Sequence, residues 1–128
     1  MNNKCLLLVF FLSLFCLNAN SQNNGSDSIP SNANFRLFPT KNMWNFIKLD
    51  TRSGKMWQVQ YSMKSNERFE VKLNSSSLVY DEKESIDRFT LCPTQNTYTF
   101  LLLDQKDGRV WQVQWSFEAE ERMVLRIY

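Results

Sequence analysis

Beyond residue 34, apolar and polar positions alternate with a period of two, and the alternation breaks at small clusters of turn residues. Phe35 and Leu37 flank Arg36. Trp57, Val59 and Tyr61 flank Gln58 and Gln60, and Phe69, Val71 and Leu73 flank Glu70 and Lys72. Period-two patterning sends successive side chains to opposite sheet faces, so it predicts strands rather than helices. Residues 43 to 50 are apolar on both faces, with Trp44 and Phe46 opposing Ile47 and Leu49, which predicts a central strand. Pro39 to Asn42 is turn chemistry, because proline fixes φ while Thr and Asn hydrogen-bond their own backbone. Asp50-Thr51-Arg52-Ser53-Gly54 predicts a hairpin loop closed by a glycine at positive φ.

The same pattern occurs twice. At an offset of 54, residues 35 to 74 match residues 89 to 128 without a gap, and 16 of the 40 pairs are identical. Phe35, Leu37, Pro39, Thr40, Asn42 and Phe46 recur as Phe89, Leu91, Pro93, Thr94, Asn96 and Phe100. Leu49-Asp50 and Gly54 recur as Leu103-Asp104 and Gly108, and Glu67-Arg68 as Glu121-Arg122. The longest identity is Trp57-Gln58-Val59-Gln60 with Ser62, against Trp111-Gln112-Val113-Gln114 with Ser116. Other pairs match in size, such as Trp44 with Tyr98 and Tyr61 with Trp115. The expected organisation is a repeat over 35–74, a linker over 75–88 in which Leu78-Val79-Tyr80 has the makings of a short strand, and a repeat over 89–128. Each repeat should hold four strands. The expected fold is all-β, two tandem four-stranded antiparallel repeats packed as a pseudo-twofold sandwich or barrel.

Ahead of the repeats lies a different composition. Lys4 precedes an apolar run from Cys5 to Leu17, followed by the short polar stretch Asn18 to Gln22. This is the three-part shape of a secretory signal, and Ala19 and Ser21 suit cleavage before Gln22. Residues 1–21 are expected to be a signal peptide and residues 22–34, rich in Asn and Ser, a flexible leader. A retained anchor and lipidation of Cys16 are the alternatives. After cleavage no integral membrane segment is expected, and the protein is secreted or periplasmic. Cys92 is then the only cysteine left, and its pairing with Phe38 across the repeats reads as a small buried hydrophobe.

The chain has no histidine and only three glycines, which excludes Ser-His-Asp and Cys-His nucleophile systems, His-containing zinc sites and Gly-rich phosphate loops. A net charge of +2 supplies no general field for nucleic acid. No cofactor or metal is expected. The charge is divided by position, however: residues 35 to 74 carry +5 and residues 75 to 128 carry −3. That division suits attraction between the two halves of one chain, or head-to-tail association between chains.

Strict alternation sets Gln58, Gln60, Gln112 and Gln114 on the face opposite the tryptophans. Amides at alternate strand positions form a ladder able to read a peptide backbone or glycan hydroxyls, and equally a solvated outer face. Trp44, Trp57, Trp111 and Trp115, with Tyr61 and Tyr98, are expected in the core and would stack sugars only where exposed. Asp50 and Asp104 read as turn caps, although Asp104 to Gly108 has a partial likeness to a calcium loop. Glu120-Glu121 lies in a charged loop with no partner set across a cleft.

The stretch Phe46-Ile47-Lys48-Leu49-Asp50-Thr51-Arg52-Ser53-Gly54-Lys55-Met56-Trp57 resembles the strand-turn-strand line of quinoprotein-type propeller repeats. That likeness implies a hairpin shape and carries no cofactor, and a ring of such units from a two-copy chain would require self-assembly. The whole repeat also resembles small exported two-repeat β proteins of Bacteroides-type bacteria, which implies an envelope or secreted location. The functional expectation is an exported, non-enzymatic binding module that recognises a protein partner through an outer strand face. A glycan-binding envelope module is the alternative.

Overall fold

The computed structural model describes residues 32–80 and 82–128, so the signal segment and residues 22–31 of the leader lie outside the described residues. Eight strands form two antiparallel meanders. The first sheet runs in the order β1 (Phe35–Pro39), β2 (Asn45–Asp50), β3 (Met56–Gln60), β4 (Phe69–Asn74). The second runs β5 (Phe89–Pro93), β6 (Thr99–Asp104), β7 (Val110–Gln114), β8 (Met123–Ile127). The all-β expectation of two four-stranded repeats is met, with two open sheets and no barrel closure.

The residues shared by the two repeats explain why the chain turns where it does. Thr40 Oγ1 donates to the carbonyls of Asn42 and Asn45, and Thr94 Oγ1 to those of Asn96 and Thr99. Asn42 and Asn96 each accept, at 2.9 Å, the backbone N–H two residues on. Asp50 and Asp104 each accept the N–H of residue 52 or 106 at 3.0 Å. Gly54 and Gly108 close the hairpins at φ +77° and +80° and donate back to the Asp carbonyls. Side-chain bonds of this kind let short loops satisfy their own backbone, which is why these positions tolerate little variation between copies.

The register assigns every side chain to a face. In the first sheet Ile47, Leu49, Met56 and Gln58 point one way and are buried, while Phe35, Leu37, Phe46 and Trp57 point the other and are partly or largely exposed. In the second sheet the parity is reversed. Phe89, Leu91, Phe100, Leu102, Trp111 and Val113 form the buried face, and Leu101, Gln112, Leu125 and Ile127 form the open one. One core joins both sets: Ile47, Leu49 and Met56 from the first sheet pack with the aromatic face of the second. The face that the first repeat buries is therefore the one the second exposes. This corrects the expected pseudo-twofold packing, in which like faces would meet; the sheets are stacked front to back.

Two local expectations change with it. Gln58 is 0% exposed, inside the core rather than on an outer face, because its face is the covered one in the first repeat. Cys92 shares a face with Leu101 and is exposed rather than buried, because that face is uncovered in the second repeat.

Among the described residues of 75–88 there is no strand, and this segment ties the sheets together. Leu78 N–H donates to Ser53 O, Phe89 N–H to Thr51 O, and Asp87 N–H to Thr51 Oγ1. Asp87 sits at φ +61° and its carboxylate accepts from Arg36 at 2.5 Å. Part of the leader also belongs to the fold, since Thr51 bonds the carbonyls of Ala33 and Asn34.

The two glycines give a paired prediction. A Cβ at Gly108 meets nothing within 4 Å, so Gly108→Ala is expected to cost about 1 kcal/mol for the left-handed backbone alone. A Cβ at Gly54 would stand 2.9 Å from Leu78 Cδ1 and 3.3 Å from Phe89 Cε1, so Gly54→Ala should lose clearly more. Urea unfolding of both variants decides it. Equal losses would mean that Leu78 does not press on the hairpin.

Candidate functional site

Three surface regions carry candidate chemistry: the open face of each sheet, a pair of aromatic clefts, and a charged cluster at the Asp104 hairpin. The four glutamines fall into different environments. Gln58 Nε2 donates to Asn45 Oδ1 at 3.1 Å, while its own Oε1 has no hydrogen-bond partner among the described residues. Gln60 Nε2 donates to Glu67 O at 2.8 Å, and Gln114 Nε2 repeats the bond to Glu121 O at 2.9 Å. Ser62 and Ser116 complete the motif by donating to the Glu67 and Glu121 carboxylates. Both bonds hold the single 3-10 turns Ser65–Glu67 and Ala119–Glu121 against the preceding strand. Identity at Gln60 and Gln114 thus has a structural cause. Gln112 and Gln114 share the open face of the second sheet, Gln112 beside Leu101 and Leu125 and Gln114 opposite Thr99.

That open face of the second sheet is its most distinctive surface. Leu101, Leu125 and Ile127 are exposed together with Cys92, and the same face adds Thr90, Thr99 and the half-buried Leu103 and Val110. It carries no charged side chain. The open face of the first sheet is mixed: Phe35 and Leu37 are exposed beside Trp57, and Lys48 lies 4.7 Å above the Trp57 ring and 2.5 Å from Glu70.

The aromatic clefts are equivalent by repeat. In the first, the Trp44 and Tyr61 rings pack at a tilt of 51° with centroids 5.0 Å apart beside Asn42, Gln60 and Glu67, in a groove of about 260 Å³. Phe117 reaches across from the second repeat to line it. The second groove, of about 340 Å³, is lined by Asn96, Tyr98, Gln114, Ser116, Phe117 and Glu121, and the Tyr98 ring is tilted against the buried Trp115 with centroids 5.0 Å apart. Of the tryptophans expected in the core, Trp111 and Trp115 are buried, Trp57 is half-buried and Trp44 is exposed. The alternation hid Trp44 as a surface residue because it sits in the turn just before β2, where the strand parity does not yet apply.

The charged cluster centres on Arg88, which sequence reasoning did not single out. Its side chain is buried, and it donates to both Asp104 carboxylate oxygens at 2.9–3.1 Å. Arg109 adds a bond to Asp104 at 3.2 Å, and Glu82 and Asp107 lie at the rim. With both oxygens of Asp104 taken by guanidinium groups and backbone N–H, the hairpin is a capped turn, as expected, rather than a calcium loop. Burial alone would raise the pKa of Asp104, but the Arg88 hydrogen bonds and the Lys106 and Asp107 amides outweigh it and hold the carboxyl below its ordinary 3.8. Asp50 is depressed in the same sense, burial again being outweighed by the Arg52 side chain and amide.

A depressed folded-state pKa contributes stability that is present above the unfolded value and lost as pH falls through the folded one. Unfolding free energy is therefore expected to be flat near neutrality and to drop below about pH 4. Asp104→Asn should flatten that acid limb. An unchanged acid limb in the variant would assign the loss to other carboxylates.

No family model, curated protein or solved structure matches this chain. The functional reading stands on the geometry. Among the described residues, no helix is long and apolar enough to cross a membrane, and no cluster of three or more His, Cys, Asp or Glu is placed to hold a metal ion.

Proposed function

We propose that this chain is an exported, non-enzymatic docking module that recognises a protein partner through an open sheet face. The observation that carries it is the uncharged, exposed surface of Leu101, Leu125, Ile127 and Cys92 around Gln112. A contiguous apolar patch with a few amides is the composition of an interface core, where charge is depleted and apolar area dominates. The reading as a binding module rather than an enzyme draws support from the carboxylates: Asp50 and Asp104 are held by arginines and Glu121 by Ser116, so these three are committed to structure. Export rests on the N-terminal sequence pattern alone.

Glycan binding is a second reading, favoured by one feature: the exposed Trp44 and Tyr61 stand beside Gln60 and Asn42 in the first cleft, a ring next to amide donors and acceptors. The two readings part in one experiment. Purified protein is immobilised and challenged with envelope extract, culture fluid and a glycan panel, beside Leu125→Glu and Trp44→Ala variants. Loss of a retained protein in Leu125→Glu alone supports the docking face. A glycan retained by the wild type and lost in Trp44→Ala would replace it with the cleft.

A further inference from the structure

The front-to-back stacking leaves the molecule with two unlike open faces, and each has its complement inside the same chain. The open face of the first sheet carries Phe35, Leu37, Phe46, Trp57 and Val59 among the charged Lys48, Glu70 and Lys72; the covered face of the second has the same five apolar residue types at Phe89, Leu91, Phe100, Trp111 and Val113. The open face of the second sheet, with Leu101, Gln112, Leu125 and Ile127, matches the covered Ile47, Gln58, Val71 and Leu73 of the first. Within the chain, these two kinds of face already meet and form the core.

We propose that the partner of the docking face is a second copy of this chain, the Phe35–Leu37–Trp57 face of one copy stacking on the Leu101–Gln112–Leu125 face of the next. The inference rests on the docking reading above and names its partner. Three further observations point the same way. Apolar side chains on both faces of β2 and β6 suit sheets covered on both sides. Residues 35 to 74 carry +5 against −3 for residues 75 to 128, so head-to-tail contact brings opposite charges together. Finally, Phe117 of the second repeat lines the cleft of the first, and its repeat equivalent Met63 is 89% exposed. A second copy placed by the same rule brings its Met63 to the Asn96, Tyr98 and Gln114 cleft, which among the described residues is lined by the second repeat only, Phe117 included. The main departure from the template is Lys48 where the second repeat has Leu102, and its charge is matched by Glu70.

Such an interface is heterologous: it uses two different surfaces, so each copy offers one of each, and growth ends only when a ring closes. This gives a test that an isologous contact cannot imitate. Leu37→Glu spoils the first face and Leu125→Glu the second, both at exposed positions where the fold tolerates a charge; circular dichroism and thermal melting check that each variant is folded. The wild type is expected to show a solution mass of several chains by light scattering, and each variant alone that of one chain. An equimolar mixture of the two variants should give a mass of two chains, because one intact face of each kind remains. A mixture that stays at one chain, or a Leu37→Glu variant that keeps the wild-type mass, overturns the proposal. A wild type that remains a single chain at every concentration overturns it as well, and if Leu125→Glu still loses a protein retained by the wild type, the docking reading survives that failure.

Discussion

Phe89→Ala is expected to cost about 3–5 kcal/mol, the range for deleting a buried aromatic ring, and to leave the domain marginally folded. The same truncation at Phe35, its equivalent by repeat, should cost about 1 kcal/mol, since only part of the ring's transfer free energy is at stake. Phe89 is 0% exposed and packs 6.1 Å from Trp111, whereas Phe35 is 49% exposed and lies 6.3 Å from Trp57 on an open face. The aromatic partner and its distance are nearly the same in both repeats, so the difference isolates what the opposite sheet adds. Urea unfolding in the Leu125→Glu background, which keeps copies apart, reads both values. Equal losses would mean that the two aromatic faces are buried alike.

Asp104→Ala is expected to be comparably severe, at about 3–5 kcal/mol, because it leaves the buried Arg88 guanidinium without its main counter-charge. The Arg88 and Asp104 side chains are 3% and 0% exposed, so water cannot take over that role without opening the hairpin. Asp50→Ala removes the equivalent turn cap, but its partner Arg52 is 35% exposed and can rehydrate, so a loss of about 1–2 kcal/mol is expected. The double variant Arg88→Met, Asp104→Asn should lose much less than the two single changes added together, since removing both charges abolishes the orphan. Thermal or urea unfolding of the set gives the coupling. Additive losses would mean that the pair contributes no mutual stabilisation.

The strands and turns were legible in the chain because their causes are local. Thr40, Asn42, Asp50 and Gly54 make bonds within a few residues of themselves, and their recurrence at Thr94, Asn96, Asp104 and Gly108 marks one backbone path used twice. Which face is buried was not legible from alternation. Period two separates the faces without saying which one meets another sheet, and both faces of β2 and β6 are apolar. A signal was present at two pairs: Lys48 and Glu70 interrupt the aromatic face in the first repeat, where Leu102 and Val124 continue it in the second. Those four residues mark the aromatic face as covered in one copy and open in the other.

The same ambiguity governs the four glutamines. They share a strand parity, but Gln58 lies under a sheet, Gln60 and Gln114 each clamp a turn, and only Gln112 and Gln114 lie on an open face. Arg88 escaped notice because an arginine in a charged linker is ordinarily solvated, and only the fold brings Asp104 onto it. Its backbone did follow the repeat: Gln105 N–H bonds Arg88 O as Thr51 N–H bonds Asn34 O, at the same offset of 54.

Two repeats that are identical at 16 of 40 positions bury opposite faces. Hydroxyl-radical footprinting of the Leu125→Glu variant, read residue by residue by mass spectrometry, addresses that directly. Phe35 and Leu37 should oxidise readily while their equivalents Phe89 and Leu91 stay protected, and Leu101 should oxidise while Ile47 does not. Equal protection of Phe35 and Phe89, with Leu101 and Ile47 both exposed, would restore symmetric packing and contradict the account.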